Sequence, residues 1–288
     1  MGEHVFEAVI PVALDLSGLS PIMRSEVASA AQDVFGGEYD APYAGRDLAI
    51  LDLGANVGAF ALWAQLRWPG STITSYEPDP ETFALLKRNT RDHPKIHRVH
   101  AAVYPMDAAS TGLVRRGGGD IEAALAPVAT EFLSGADAAE SIEVPVVHPR
   151  DLPPADIIKL DVEGCELAIL VALDLTAVSL IMLEYHDLER RREIERVTAE
   201  TFVVERSTAY PWAPYLGDDR YRERAQTDEY GVLVLVNRHP RRLRKVEGSR
   251  YARAVAAPGL RQALTSLPGL AETAVGRRVA QLRRRAAR

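Results

Sequence analysis

Residues typical of β-strands, many of them apolar, fall into short runs in this chain that are separated by longer amphipathic stretches. The short runs lie at residues 49–53, 72–76, 96–104, 156–161 and 179–185. The stretches between them carry apolar residues at the three- and four-residue spacing of helices. Strands that alternate with helices must pair in parallel through right-handed crossovers. The pattern therefore predicts an α/β fold built on a doubly wound, mostly parallel sheet.

Two more β-rich runs, residues 201–207 and 230–237, follow without a helix between them. This order favours an antiparallel hairpin at one edge of the sheet, which brings the predicted sheet to seven strands. Residues 105–145 are less regular and contain three consecutive glycines at 117–119. We predict a flexible insertion here, with one helix near residues 121–133.

A helix is also expected before the first strand. Ser20 and Pro21 form a helix start, and Gly36 and Gly37 form a helix end just before Tyr39. This helix is placed to cover a bound cofactor, and Tyr39 is included among the candidate cofactor-binding residues. The predicted organisation is an N-terminal strand and helix cap at 1–45, a cofactor-binding domain at 46–238, and a basic helical or flexible tail at 239–288.

The junction after the first strand carries the most informative motif of the chain. It reads Leu-Asp-Leu-Gly-Ala-Asn-Val-Gly from residue 51 to 58. A dinucleotide-binding turn needs glycine at its first, third and sixth positions, and here only Gly54 meets that requirement. The acidic Asp52 would repel a phosphate but attract a cation such as the ammonium or sulfonium group of S-adenosylmethionine. Candidate cofactor contacts in this turn are Asp52, Gly54, Ala55, Asn56 and Gly58.

A second cofactor element is expected at the end of the next strand. Glu77 lies 23 residues after Gly54, where an open α/β sheet places an acceptor for the ribose hydroxyls. Pro78 follows it as a further cofactor candidate, and Asp79 with Pro80 begins the next helix. The alternative is a solvated acid at a strand end, but the correct separation from the glycine turn favours the cofactor role.

Composition limits the class of protein. The chain has 288 residues, of which 47% are hydrophobic, enough for one domain with extensions. It has one cysteine, Cys165, so no internal disulfide can form, and no basic-then-apolar signal pattern is present. No apolar run approaches the length of a membrane span. We predict a cytoplasmic protein without a transmembrane segment.

Charge is distributed unevenly along the chain. From Pro240 onward there are 13 basic residues against Glu247 and Glu272, although the whole chain carries a net charge of −6. A basic helical tail can dock on an anionic surface. A solvated tail, or one folded back on the acidic remainder, explains the charge more simply, and no nucleic-acid partner is expected.

The sequence resembles the FkbM family of class I, Rossmann-like S-adenosylmethionine-dependent methyltransferases. The resemblance rests on residues 51–60 (LDLGANVGAF), 76–89 (YEPDPETFALLKRN), 157–170 (IIKLDVEGCELAIL) and 182–184 (MLE). Its most specific part is Lys159-Leu-Asp161-Val-Glu163-Gly-x-Glu, because charged residues two apart on a buried strand are costly. The resemblance implies methyl transfer to a hydroxyl of a small molecule, usually a sugar, polyketide or other secondary metabolite. A homo-oligomer is compatible with it.

The reacting groups are expected beyond the carboxyl ends of the fourth and fifth strands. Asp161 and Glu163 follow one strand, and Glu184 and His186 follow the other. Transfer to an alcohol needs a base with a pKa near the working pH, which makes His186 the candidate base. Asp161 is placed to act as a base or to orient the cofactor, and the candidate catalytic residues are Asp161, His186 and Glu184. The alternative for His186 is a partly exposed loop histidine.

Asp161 and Glu184 are also candidate ligands for a divalent ion such as Mg²⁺, which would acidify the acceptor hydroxyl. We do not favour this metal site, because the same carboxylates can flank Lys159 in a buried ion-pair network. Lys159 is expected to be structural. The stiff aromatic segment at residues 210–215, YPWAPY, is a candidate acceptor wall or a small satellite core.

Three other functions stay open. N-methylation of an amino sugar would make His186 dispensable, and a non-catalytic protein could retain the cofactor pocket. An NAD-dependent oxidoreductase is the third, although the missing glycines count against it.

Overall fold

The computed structural model describes residues 12–116, 123–132, 138–209 and 231–246. Its α-helices are α1 Pro21–Gly36, α2 Ala59–Arg67, α3 Pro80–Asn89, α4 Ala126–Phe132, α5 Glu166–Ala172 and α6 Leu188–Thr198. Its strands are β1 Tyr43–Ala44, β2 Ala49–Leu53, β3 Thr72–Tyr76, β4 Ile96–Val99, β5 Ala102–Val103, β6 Ser110–Arg116, β7 Ala123–Leu125, β8 Ala138–Val147, β9 Ile157–Leu160, β10 Leu180–Tyr185, β11 Phe202–Ala209, β12 Gly231–Asn237 and β13 Arg244–Lys245.

The main sheet has seven strands in the order β11-β12-β10-β9-β2-β3-β4. β10, β9, β2, β3 and β4 pair in parallel, and β12 lies antiparallel between β10 and β11. The order reverses direction along the chain between β2 and β9, which makes the sheet doubly wound. The predicted α/β fold, with a mostly parallel seven-stranded sheet and an antiparallel edge hairpin, is confirmed.

Two hydrophobic cores cover the two faces of this sheet. On one face, Ile50, Ile157 and Met182 pack with residues of α1 and α2. On the other face, Leu51 and Leu183 pack with residues of α5, α6 and a second sheet. The alternation of strand side chains between the two cores assigns Asp52, Lys159 and Glu184 to the α1 face, because side chains two apart share one face.

The segment at residues 105–145 is more regular than the sequence indicated, and α4 Ala126–Phe132 confirms the helix predicted near residues 121–133. The described part of this segment forms a second, four-stranded sheet in the order β5-β8-β6-β7, with α4 following β7. Leu113, Leu125 and Val144 of this sheet are buried against the core of the main sheet. The glycines at 117–119 lie outside the described residues. The predicted single strand at 96–104 is divided, because β4 pairs with β3 whereas β5 pairs with β8.

The predicted boundaries of the first helix are confirmed. The Ser20 side chain accepts the backbone N–H of Met23, and Gly37 closes the helix in the left-handed conformation. Val27 of α1 packs with Val57 of the turn after β2, so this helix lies over the glycine turn as expected.

The register of β2, β9 and β10 places the candidate cofactor-binding and catalytic residues at one edge of the sheet. Leu53 pairs with Leu160, and Leu160 pairs with Leu183, so the residues that follow these strands are neighbours. The edge hairpin turns at the same end, because Gly231 pairs with both Tyr185 and Ala209. The aromatic segment predicted as an acceptor wall belongs to the connection at this end and lies outside the described residues.

The described part of the predicted basic tail contains a strand, β13, that pairs with β1 near the N-terminus. Arg244 and Lys245 of β13 pair with Ala44 and Tyr43 of β1. Residues 247–288, which hold most of the basic residues of the tail, lie outside the described residues. Within the described ranges, no helix combines the length and the apolar character needed to cross a membrane.

Candidate active site

The turn after β2 is held by its own backbone and by the neighbouring strand β3. The amides of Gly54 and Ala55 both donate to the carbonyl oxygen of Tyr76, at 3.1 and 2.9 Å. Asn56 adopts a left-handed conformation, and its side-chain oxygen accepts the amide of Val57 at 2.8 Å. The turn is therefore rigid before any ligand binds.

Gly54 is required by a protein contact as well as by its backbone conformation. Its φ is +78°, and a Cβ at this position would lie 1.7 Å from the carbonyl oxygen of Asp161. Gly58 is similar, with a φ of +94° and a Cβ position only 2.9 Å from a methyl carbon of Leu86 on α3. Both glycines are candidate cofactor contacts, but packing within the protein also requires them, because protein atoms fill both Cβ positions.

Glu77 sits at the end of β3 with a fixed orientation. One carboxylate oxygen accepts the amide of Asn56 at 2.8 Å, and the other accepts the amide of Asp79 at 2.9 Å. Each oxygen keeps a second lone pair, so the carboxylate can still accept ribose hydroxyls. Burial raises the pKa of Glu77 to about 7. Pro78, the other candidate here, accepts a hydrogen bond from the His100 ring at its carbonyl.

Asp52 lies inside the sheet. Its side chain is fully buried, accepts the hydroxyl of Ser75 at 3.0 Å, and lies 3.7 Å from the ammonium of Lys159. Burial raises the pKa of Asp52, against the opposing effect of Lys159. Its described contacts are thus internal, and a direct contact with the cofactor stays a prediction.

Asp161 connects the glycine turn with the end of β10. Its Oδ2 lies 3.2 Å from the ammonium of Lys159 and 3.4 Å from the hydroxyl of Tyr39. Burial opposes ionisation of Asp161, but Lys159 and a hydrogen bond with Glu184 outweigh it and hold the pKa of Asp161 below its usual value. Burial and the adjacent Asp161 raise the pKa of Glu184 well above its usual value. The opposite directions of these shifts make Asp161 the more readily ionised partner of the hydrogen-bonded pair that it forms with Glu184.

His186 is buried, which contradicts the alternative of a partly exposed loop histidine. Its Nε2 lies 3.4 Å from Glu163 and 3.6 Å from Glu184, and its side chain is 6% exposed. Burial lowers the pKa of His186, but the hydrogen bond with Glu163 and nearby carboxylates reverse this effect and raise it. The side chains of Asp161 and Glu163 are 27% and 31% exposed, so these two carboxylates form the accessible part of the cluster.

The loop that carries Glu163 is braced from two sides. Glu163 itself has a φ of +51°, an unusual conformation for a residue other than glycine. The buried carboxylate of Glu166 accepts the amides of Val162 and Gly164, at 3.1 and 3.3 Å. On the other side, Arg190 of α6 donates to the carbonyl of Gly164 at 2.7 Å. These bonds keep the strained residue in place, with its carboxylate beside His186.

The structure brings the predicted catalytic residues Asp161, Glu184 and His186 together, next to Tyr39 and the Gly54 turn. Sequence reasoning noted Glu163 but gave it no role, and it did not identify the brace formed by Glu166 and Arg190. The motif from Lys159 to Glu166 contains both Glu163 and Glu166, and it was the available signal for these two residues. No sequence signal pointed to Arg190. In the described parts of the chain, no group of three or more His, Cys, Asp or Glu side chains is arranged to hold a metal ion.

The sheet order, the glycine turn after β2 and the acid at the end of β3 define a class I, Rossmann-like methyltransferase domain. A family model described as the methyltransferase FkbM domain matches residues 52–202, slightly more than half of the chain. The protein belongs to this family, and S-adenosylmethionine is the methyl donor that the family implies.

Two characterised relatives match part of the chain. One is the 31-O-demethyl-FK506 methyltransferase FkbM of Streptomyces tacrolimicus, 28% identical over 49% of this chain and 66% of that protein. The other is the hexuronic acid methyltransferase AglP of Haloferax volcanii, 23% identical over 54% of this chain and 63% of that protein. The chain thus spans just under two thirds of the length of these relatives.

Solved structures are more distant. The precorrin-6y C5,15-methyltransferase of Geobacter metallireducens has a TM-score of 0.39 and 13% identity, and covers 78% of this chain and 92% of its own. The fibrillarin of Aeropyrum pernix, solved with natively bound S-adenosyl-L-methionine, has a TM-score of 0.39 and 13% identity, and covers 72% of this chain and 74% of its own.

Proposed function

We propose that the protein is an S-adenosylmethionine-dependent O-methyltransferase that acts on a hydroxyl of a small molecule, such as a sugar or a polyketide-type metabolite. The observation that carries this proposal is the convergence of Asp161, Glu163, Glu184 and His186 beside the Gly54 turn. A cofactor crevice and a proton-accepting cluster then share one edge of the sheet.

The described residues fit this cofactor. Glu77 presents an oriented, buried carboxylate with lone pairs left for the ribose hydroxyls. The turn from Gly54 to Gly58 offers backbone without bulky side chains, and the accessible carboxylate of Asp161 suits the cationic end of the donor. When bound, S-adenosylmethionine supplies an electrophilic methyl group.

The side chains that converge beside the Gly54 turn have different roles in substrate binding and in removal of the acceptor proton. Asp161 is held ionised by Lys159 and faces the cationic end of the donor. The proton of the acceptor hydroxyl passes to His186 in its neutral form, and Glu163, 3.4 Å from Nε2, stabilises the imidazolium that forms. Glu184, whose raised pKa favours its protonated form, forms a hydrogen bond with Asp161 and holds it in place.

The names of the two relatives support a small-molecule acceptor. One acts on 31-O-demethyl-FK506 and the other on hexuronic acid. A second candidate, N-methylation of an amino sugar, is favoured by one observation. The accessible carboxylates Asp161 and Glu163 also attract a cationic amine.

Substitution of Asp161 tests the assignment. We expect Asp161→Ala to abolish turnover on a panel of hydroxylated sugars and polyketides, and to weaken the binding of S-adenosylhomocysteine. Asp92→Ala, at an exposed position with an 83% exposed side chain, is the matched control and should behave as wild type. Full activity of Asp161→Ala would reject its role.

His186→Asn separates the two candidate reactions. Loss of O-methylation is expected if the histidine takes part in removing the hydroxyl proton. Retained transfer to amino sugars, together with no transfer to neutral sugars in the wild type, would instead establish the N-methyltransferase.

A further inference from the structure

The ammonium group of Lys159 is buried in the middle of the main sheet. The residue lies on β9, is 3% exposed, and faces the α1 core. A buried ion pair is weak support for stability, and apolar residues of similar volume often replace such pairs without loss. Folding alone therefore does not account for a lysine here.

The partners of Lys159 belong to three different segments. Its ammonium donates to the carbonyl oxygen of Gly54 at 2.6 Å, lies 3.2 Å from Asp161, and lies 3.7 Å from Asp52. The first is part of the turn expected to hold the cofactor, and the second is a candidate catalytic residue. The ammonium is thus within hydrogen-bond distance of Gly54 and Asp161, and it forms a longer ion pair with Asp52.

A steric contact joins the same two segments. The Cβ position of Gly54 is filled by the carbonyl oxygen of Asp161, whose amide donates to Leu53 at 3.1 Å. The turn and the catalytic loop thus touch through their backbones, and Lys159 joins them again through charge. A displacement of about 1 Å would lengthen the contact of Lys159 with the displaced segment, either Gly54 or Asp161, beyond hydrogen-bond distance.

We propose that Lys159 is a positioning residue, which locks the Gly54 turn to Asp161 so that the cofactor and acceptor sides of the site keep one geometry. The inference rests on the proposed function, because it assumes that S-adenosylmethionine binds at this turn. It assigns no contact between Lys159 and either substrate. Its prediction is that cofactor affinity depends on the charge of Lys159 and not only on its volume.

Two substitutions separate charge from packing. Lys159→Met keeps the volume and removes the charge, whereas Lys159→Arg keeps the charge with a larger head group. Calorimetric titration with S-adenosylhomocysteine should give the affinity order wild type, Arg, Met, with a loss of about tenfold or more for Met, as expected for a hydrogen bond to a charged group. Lys95→Met, at an exposed position, is the control for loss of a lysine.

A second measurement uses the wild-type protein, in case Lys159→Met does not fold. The chain has four lysines, so the side-chain nitrogens of a ¹⁵N-lysine sample can be assigned individually. Addition of S-adenosylhomocysteine should slow the exchange of the Lys159 ammonium protons and leave that of Lys87, Lys95 and Lys245 unchanged.

The possible outcomes are distinct. The predicted affinity order and the slowed exchange would each support the inference. A Lys159→Met variant that binds as tightly as wild type, or better than Lys159→Arg, would overturn it. Unchanged exchange at Lys159 on saturation would do the same. If the wild type does not bind S-adenosylhomocysteine at all, both the proposed function and this inference fail, whereas binding without dependence on Lys159 rejects the inference alone.

Discussion

The carbonyl oxygen of Asp161 occupies the space next to Gly54 where any other residue would place its Cβ, only 1.7 Å from the position of that atom. The turn after β2 and the loop after β9 are therefore packed backbone against backbone. This contact places the candidate catalytic carboxylate at a fixed distance from the candidate cofactor turn. It also explains why glycine is needed at position 54 whether or not a cofactor is bound.

Gly54→Ala should destabilise the fold and weaken cofactor binding. The added methyl group meets the Asp161 carbonyl, and the φ of +78° is unfavourable for alanine. We expect a loss of about 2–4 kcal/mol in the free energy of unfolding, measured by urea denaturation. Gly36→Ala, where a Cβ meets nothing within 4 Å, is the control and should be neutral or slightly stabilising. Equal stability of the two variants would contradict this packing.

Glu77→Gln should change how stability depends on pH. The pKa of Glu77 is about 7 in the folded protein, against a usual value of about 4.5, because of burial. The folded state keeps a proton that the unfolded state has lost, so the contribution of Glu77 to stability falls as pH rises through this window.

Measurement of the free energy of unfolding at pH 5 and pH 8 tests whether the contribution of Glu77 to stability falls as pH rises. The stability of Glu77→Gln relative to wild type should increase towards pH 8, by up to about 3 kcal/mol. Binding of S-adenosylhomocysteine should weaken in the same variant. Glu200→Gln, at an exposed position, should show neither effect. A stability difference that is the same at both pH values would contradict the raised pKa.

His186 should titrate above the usual histidine pKa of about 6.5. Its pKa is raised because Glu163 and nearby carboxylates outweigh the effect of burial. The stabilisation by protonated His186 is complete below pH 6.5 and is lost as pH rises through the folded pKa. NMR titration of the seven histidines should show this midpoint, and Glu163→Gln should lower it. A midpoint unaffected by Glu163→Gln would refute the pairing, and exposed Glu189→Gln serves as the control.

Glu166 should affect both stability and the His186 pKa, because it holds the loop that carries Glu163. Glu166→Ala removes the acceptor for the amides of Val162 and Gly164, and should cost about 2–4 kcal/mol of stability. Glu166→Gln retains an oxygen at this position and should keep most of it. Both variants remove the charge of Glu166, which itself raises the pKa of His186, so the His186 midpoint should fall in both, and it should fall further in the Ala variant because Glu163 also loses its support. Equal midpoints in the Ala and Gln variants would show that the brace does not set the position of Glu163.

The centre of the main sheet could be predicted from sequence because β2, β9, β10 and β12 are nearly continuous apolar runs, as expected for strands buried on both faces. The second sheet could not, because β6 and β8 carry charged residues such as Arg115 and Glu143, so their apolar alternation is weak. Arg115 instead forms ion pairs, including one of 2.7 Å with Asp79 at the start of α3. Such pairs depend on contacts between distant segments, which no local pattern reveals.

The sequence allowed prediction of which strand ends form the candidate site. Asp161, Glu184 and His186 follow adjacent parallel strands, so topology alone places them together. Topology does not give the orientation of the side chains. Asp52 turns out to be buried under Lys159, and Glu163 lies beside His186 only because its backbone is held at a φ of +51°. Both outcomes depend on side-chain packing and local strain.

The central claim is that the crevice beside Gly54 and Glu77 binds S-adenosylmethionine. Calorimetric titration of the wild-type protein with S-adenosylhomocysteine and, separately, with NAD tests it most directly. We expect saturable binding of S-adenosylhomocysteine at one site per chain, weaker binding by Glu77→Ala, and no binding of NAD. Absence of binding by S-adenosylhomocysteine, or tighter binding of NAD, would contradict the claim.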